Sequence, residues 1–430
     1  MNQQKQIDAY IREVCSHIKR TDVHESIALE LKGHLEEKIE QYQSEGMSEE
    51  QAVDQAIADM GSPVTLGKQL HYAHKPRMEW SILAILAGLI SCGLLVMHGL
   101  GTAQSGNALL TSKLWGILAG TAAFTVMLFA DYRKGKRYST HLYAGTVLLM
   151  LATHALGTTM NGKPYLDLGF LTLDLLGIAS IPLVIALAGM FADWDWKRQR
   201  TIWIAFAAFA LPFLLLAGGS APFSAVLFFA AFVLLVVLSP AQKRVALATV
   251  GLTVVFTIAF VALTIKPYQI ERLHLGTPAD PSGSGYTISQ SLQVMHSASL
   301  FGSGSDATLP AIPALESDFV FTYVVHQYGL AAGTAILCLG IVLLLRLVRA
   351  ARQVRRDTYG FMLMTGLMTL FFLPYFWSIL MTVGLVPLIS VNLPLISHGN
   401  AQVILYMGLF GLMLTIYRHK DVPTCQPQPK

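Results

Sequence analysis

"LESDFVFTYVVHQYGL", residues 315–330, sets two acids, Glu316 and Asp318, directly before a run that reads as a membrane helix. An ionised carboxylate is costly near hydrocarbon, so acids in this position belong at a water interface or serve a purpose there.

The chain has 430 residues, of which 53% are hydrophobic and 13% charged, where an ordinary soluble domain carries about 25% charged residues. Its mean hydropathy is +0.52. This is the composition of a polytopic membrane protein. Four cysteines, Cys15, Cys92, Cys338 and Cys425, are scattered without a CxxC pair or metal-ligand spacing, which supports neither a disulfide framework nor a zinc site. The formal charge of +4 is small and is arranged by membrane side, so no nucleic-acid partner is expected.

Residues 1–75 differ from the rest, being charged and helical in pattern. "DVHESIALELKGHLEEKIEQYQSEG" places Ile27, Leu29, Leu31, Leu35 and Ile39 at mostly helical spacings, and Gly46 closes the pattern. In "MSEEQAVDQAIADMGSP", Ser48 and Gln51 form a capping box, Glu49 and Glu50 suit the positive end of the helix dipole, and Gly61 with Pro63 supplies a stop. This helical hairpin resembles the small cytoplasmic prefix domain that precedes some bacterial permeases, and reads as a folding or docking module. The first apolar run begins only near Trp80, so no cleavable signal peptide is expected.

From Trp80 onward ten apolar runs are long enough to span, near 80–99, 114–131, 140–157, 171–192, 201–218, 221–238, 244–265, 319–345, 360–386 and 401–417. The basic segments "DYRKGKRYST", "DWDWKRQR", "SPAQKR", "RLVRAARQVRRD" and "YRHK" all follow even-numbered spans. That asymmetry predicts even-numbered ends inside and both termini cytoplasmic. The expected architecture is an all-α protein of ten transmembrane helices, residues 76–420, after a small helical cytoplasmic domain at 1–75 and before a cytoplasmic tail at 421–430. A large extracytoplasmic loop, about 266–318, separates spans seven and eight. Loops of that length usually serve a function, and this one carries the acids.

The loop contains "YQIER", with Tyr268, Gln269 and Arg272, then "DPSGSGYTISQS", with Asp280, Gly285, Tyr286, Gln290 and Ser291. It continues as "SASLFGSG", with Phe301, Gly302 and Gly304, and "ESDFVF", with Asp318. Between spans nine and ten lies "VGLVPLISVNLPLISHGNAQ", with Pro387, Pro394, Ser397 and Gly399. These segments, in this order, resemble those of the RodA/FtsW/SpoVE (SEDS) family, which polymerises peptidoglycan glycan strands from lipid II. The resemblance covers roughly residues 80–418 and is weaker in the first half. Where the family has "NGA.RWI" and "QPSE", this chain has "NGKPYLDLGFLTLDLL", which keeps Asn161 and Gly162 without the later acid and nearby lysine. "AGGSAPFS" stands where the family has "QPDLGT", and His326 and Gln327 replace paired glutamates.

The β-1,4 bond forms when a sugar 4-hydroxyl attacks an anomeric carbon and displaces undecaprenyl diphosphate. A carboxylate can accept the hydroxyl proton while a positive centre stabilises the leaving diphosphate. Locally, Asp318 suits equally an N-cap for span eight and a base; the roles are compatible, and the resemblance implies catalysis. Glu316 reads as a solvated loop acid. Arg272 could hold the diphosphate through its planar fork, and Lys266 as a point charge or as a snorkelling interfacial residue. The resemblance places Gln290, Ser291, Ser397 and Gly399 among substrate contacts, and Tyr268, Gln269, Gly285, Tyr286, Gly302, Gly304, Pro387 and Pro394 among residues that shape the loops. The glycines lack the strand and Gly-Lys-Ser/Thr of a phosphate loop. The two prolines interrupt apolar sequence as a re-entrant or broken segment would.

Neither a cofactor nor a metal-ligand set is readable, although a divalent metal is compatible with diphosphate chemistry. The resemblance also implies a class B penicillin-binding protein as partner and the bacterial cytoplasmic membrane as location. Two other readings compete with the enzyme: a scaffold that binds lipid II or the partner without catalysis, and a transporter of a lipid-linked substrate. Transport would call for paired intramembrane charges or an internal repeat, and Asp174 reads as too isolated for a relay.

Overall fold

The computed structural model describes residues 2–18, 24–73, 79–101, 108–160, 162–167, 172–265, 286–302 and 312–420. The chain divides into two compact units, Met1–Met78 with Arg418–Lys430, and Glu79–Tyr417.

The first unit contains four helices, Asn2–Ser16, His24–Ser44, Glu49–Met60 and Pro63–Ala73, where a hairpin of two is expected. The capping box at Ser48 and Gln51 is present, and Gly61 ends its helix at φ 79°. Pro63 opens a further helix rather than only stopping one, because its missing N–H is unneeded at a first helical position. Ile27, Leu31 and Leu35 bury against Ile7, Ile11, Val14 and Ala56, giving this unit a core of its own.

Among the described residues eight helices are long and apolar enough to cross a membrane: Trp80–Leu100, Ala108–Phe129, Leu175–Asp193, Arg200–Gly218, Lys243–Thr264, Val320–Val354, Thr358–Thr382 and Asn400–Arg418. Two more stand where spans are expected. Pro222–Leu238 is apolar but has 17 residues, and Ser139–Leu156 has 18 with a more polar composition. The all-α expectation needs one amendment. After Leu156 three short strands, β1 (Thr158–Met160), β2 (Lys163–Asp167) and β3 (Thr172–Leu173), pair antiparallel in that order, with Thr158 opposite Tyr165 and Leu166 opposite Leu173.

Thr358–Thr382 is the central helix. Of its most apolar stretch 67% is buried, against 17% for Lys243–Thr264, whose side chains mostly point out of the bundle. Tyr375 on this helix donates from its hydroxyl to the carbonyl of Ile336, 2.7 Å away, and its ring lies where a Cβ on Gly340 would stand. Beside it, Phe209, Phe228 and Phe232 join neighbouring spans, with ring centroids of Phe209 and Phe232 4.9 Å apart. Aromatic contacts of this kind add packing energy where hydrophobic exclusion between helices is weak.

The connecting segments sort onto two faces. On one, Lys136 pairs with Asp193 at 2.6 Å, and Tyr132 donates to Asp357 at 2.6 Å, which joins the segments after expected spans two, four and eight. On the same face Tyr417 donates to Glu79, so the start of the first membrane helix meets the end of the last. The opposite face carries the strands, the helix Tyr286–Ser297 and the two motif segments around Asp318 and Ser397. Tyr286–Ser297 shows that the long loop has helical structure of its own.

Candidate active site

Asp318 sits at the end of a tight turn. The carbonyl of Ala314 accepts from the amides of Ser317, Asp318 and Phe319 at 3.2, 3.0 and 3.2 Å, and Ala314 itself adopts φ 57° to allow it. The N-cap of Val320–Val354 is Phe319, with no side-chain hydrogen bond. The cap position therefore falls to Phe319 and not to Asp318, whose carboxylate is instead influenced by the Ser390 hydroxyl. Half-burial pushes the Asp318 carboxyl above the usual carboxylate range. The hydrogen bond from Ser390 draws it partly back, and the nearby charge of Glu316 adds to the rise.

The second motif holds this turn from behind. Ser397 donates from Oγ to the carbonyl of Ser317 at 2.7 Å and accepts from the amide of Leu393 at 2.9 Å, while the amide of His398 donates to the carbonyl of Glu316 at 2.9 Å. Two motifs about eighty residues apart in sequence thus form one backbone-bonded unit. Leu395 lies inside it at φ 67°, a conformation that costs a leucine about 1–2 kcal/mol. Burial of Leu393, Leu395 and Ile396 holds it there. Such strain persists only where surroundings over-determine it, and it concentrates at functional sites.

Helices Trp80–Leu100 and Ala108–Phe129 receive the segment at glycines. A Cβ on Gly93 would stand 2.6 Å from the carbonyl oxygen of Leu395, and one on Gly116 3.2 Å from Cα of Asn400. Between these approaches lies Lys113, fully buried. Its ammonium donates to the carbonyls of Ser397 at 2.7 Å and Ile396 at 3.3 Å. The sequence reading starts the second span at 114 and leaves this lysine outside, whereas the helix begins at Ala108. The available signal is a lone cation at the edge of an apolar run, in "TSKLWGILAG".

Two of the expected substrate contacts have their hydroxyls engaged within the protein. The hydroxyl of Ser291 is buried and bonds to Thr322 Oγ1 at 2.7 Å and to the carbonyl of Thr382 at 3.2 Å, so it clasps Tyr286–Ser297 to two spans. Ser397 likewise gives its hydroxyl to the protein. Buried hydroxyls need such partners, which leaves these two no free donor for a sugar or phosphate. Gln290 is half-buried beside Ser291, and Tyr286 is exposed at the helix start. Gly399, at φ 144°, precedes the helix Asn400–Arg418 and its carbonyl accepts from Val403. Pro394 is buried and Pro387 accepts from the Trp377 indole at 3.3 Å, both in irregular backbone that lies against protein. Gly302 takes φ 82°. Lys266, Tyr268, Gln269, Arg272, Gly285 and Gly304 lie outside the described residues, as does the tail from 421.

Asp174 is not isolated. Its carboxylate accepts from Lys163 on β2 at 2.5 Å and from the amide of Gly177 at 2.8 Å. An acid–lysine pair therefore occupies the region after the third expected span, built from residues eleven apart that no local pattern joins. Among the described residues, no group of three or more His, Cys, Asp or Glu side chains is placed to hold a metal ion.

The FtsW/RodA/SpoVE cell cycle protein family matches residues 76–422. The chain belongs to this family. Among its curated members, the peptidoglycan glycosyltransferase MrdB of Escherichia coli K12 is 28% identical over 364 residues, which cover 81% of this chain and 95% of that protein. A probable peptidoglycan glycosyltransferase FtsW of Thioalkalivibrio sulfidiphilus is 26% identical over 84% of this chain and 95% of its own length. The fold is shared with solved FtsW/RodA/SpoVE structures. A chain of a peptidoglycan synthase complex superposes with a TM-score of 0.67 at 20% identity, covering 80% of this chain and 98% of that one. The rod shape determining protein RodA of Thermus thermophilus gives 0.60 at 19% identity, covering 80% and 97%. As a member of this family the chain is a multi-pass protein of the bacterial cytoplasmic membrane.

Proposed function

We propose that this chain is a peptidoglycan glycosyltransferase of cell-wall synthesis that polymerises lipid II at the outer face of the cytoplasmic membrane. The observation that carries the reading is the fixed turn bearing Asp318: a half-buried carboxylate with a raised pKa, locked to the second family motif on the face opposite the basic loops. In this reading Asp318 takes the proton from the attacking 4-hydroxyl as the bond to the anomeric carbon forms. Undecaprenyl diphosphate leaves with the electron pair of the broken bond. The basic segments then face the cytoplasm with both termini, the ten expected helices all span, and residues 266–318 form the extracytoplasmic loop. Residues 1–75 form a separate cytoplasmic domain, 76–420 the membrane domain and 421–430 the tail. Lys266, Arg272 and Gln290 are assigned to the diphosphate and sugar, and a class B penicillin-binding protein is the partner that cross-links the product.

The test is polymerisation of labelled lipid II by the purified protein, alone and with its cognate transpeptidase. Asp318→Asn and Asp318→Ala should each reduce polymer by about 10²–10⁴-fold with lipid II binding retained. Tight binding of lipid II or partner by the native protein without polymer under either condition would replace the enzyme with a scaffold.

A further inference from the structure

We propose that Lys113 is a positioning residue, which fixes Asp318 by gripping the Leu393–Ser397 turn that in turn holds the acid-bearing turn. The inference rests on Asp318 as the base and adds to that reading a residue that touches no substrate.

An ammonium taken fully out of water is tolerated only where it is richly hydrogen-bonded or paired. Lys113 is fully buried, and among the described residues its hydrogen bonds go to backbone carbonyls. Its ammonium donates to two carbonyl oxygens, those of Ile396 and Ser397. Those carbonyls belong to a turn closed by the amides of Ile396 and Ser397 onto the carbonyl of Leu393, at 3.3 and 3.0 Å. From the same turn, Ser397 Oγ and the His398 amide reach the carbonyls of Ser317 and Glu316. The chain of contacts therefore runs from Lys113 to the 396–397 carbonyls, through Ser397 and His398, to the two residues before Asp318. Leu395 at φ 67° shows that the turn is under strain, and Lys113 adds a grip on its far side to the burial that holds it. Removing that anchor releases the turn toward an ordinary conformation and shifts the carboxylate, and a displacement near 1 Å at a reacting group can cost roughly a hundredfold in rate.

The experiment compares Lys113→Met, Lys113→Gln and Lys113→Arg in the full-length protein. Hydrogen exchange followed by mass spectrometry reads the anchor without any need for activity. Lys113→Met should raise exchange in peptides covering 314–319 and 393–398 while leaving 243–264 unchanged, and Lys113→Arg should restore protection. In lipid II polymerisation, Lys113→Met should lower kcat at least about tenfold with KM within about twofold, and Lys113→Arg should recover most of the loss. A double variant with Ser397→Ala should be little worse than the poorer single one, since both act along one path. Unchanged exchange at 314–319 would overturn the proposal whatever the activity. So would a rise in KM at constant kcat, which would make Lys113 a direct substrate contact. If all variants and the native protein fail to polymerise but the exchange changes appear, the anchor stands and the enzymatic reading falls.

Discussion

Asp318 shows how one side chain is tuned by neighbours that sequence does not place beside it. Burial disfavours its charged form, the Ser390 hydroxyl bond favours it and the charge of Glu316 disfavours it. A base must be unprotonated, and a raised pKa leaves more of it protonated at a given acidic pH. Polymerisation should therefore fail on acidification at a pH above the ordinary carboxylate range. Ser390→Ala removes a bond that lowers the pKa, so its acid limb should move to higher pH. Glu316→Gln removes a like charge, and its limb should move to lower pH. Rate profiles of the three proteins check both signs, and shifts in a common direction would argue against Asp318 as the titrating group. Asp318 stands out along the chain as an acid before an apolar run, but the influence of Ser390 on it comes from a segment distant in sequence that no local pattern joins to it.

At the scale of the element, the helix Val320–Val354 is broken at Gly329, with φ 88° and ψ 172°. A break frees amides that hydrocarbon cannot satisfy, so another part of the protein must accept them. Ser299 and Leu300 supply their carbonyls to Leu330 and Ala331, at 3.0 and 3.1 Å. Gly302 fits against the break: a Cβ there would clash with the backbone oxygen of Gln327, and one on Gly329 would strike the carbonyl of Leu300. Gly329→Ala should destabilise the protein by at least about 2 kcal/mol, from the left-handed backbone and the clash together. Gly251→Ala, in the helix Lys243–Thr264 with nothing within 4 Å of the new Cβ, should be neutral or stabilise by up to about 1 kcal/mol. Thermal unfolding in one detergent compares them, and equal losses would remove any special role for the break. Nothing along the chain marks it, since a single glycine within a membrane-length run such as that around "VVHQYGLAAG" is common in transmembrane helices.

For the whole molecule, the sidedness of charge makes a prediction of its own. The Lys136–Asp193 and Tyr132–Asp357 contacts put three basic segments on one face, and the strands lie on the other. In a variant lacking the native cysteines, a cysteine at Lys134 should react with an impermeant maleimide only after the cells are opened. One at Thr159 should react in intact cells. The reverse result would invert the orientation and place Asp318 in the cytoplasm, away from any outer-face substrate.

The membrane class, the capped helix at 49–60 and the order of the two family motifs were legible along the chain, because composition, capping and motif order are carried by neighbouring residues. Only the tertiary structure decided that Lys113 is buried on Ser397, 284 residues away, that Ser291 and Ser397 serve the fold, and that Asp174 has Lys163 as its partner. Each of those depends on which polar groups meet once water is excluded. Pairing of that kind is settled by packing across the bundle, and no local pattern encodes it.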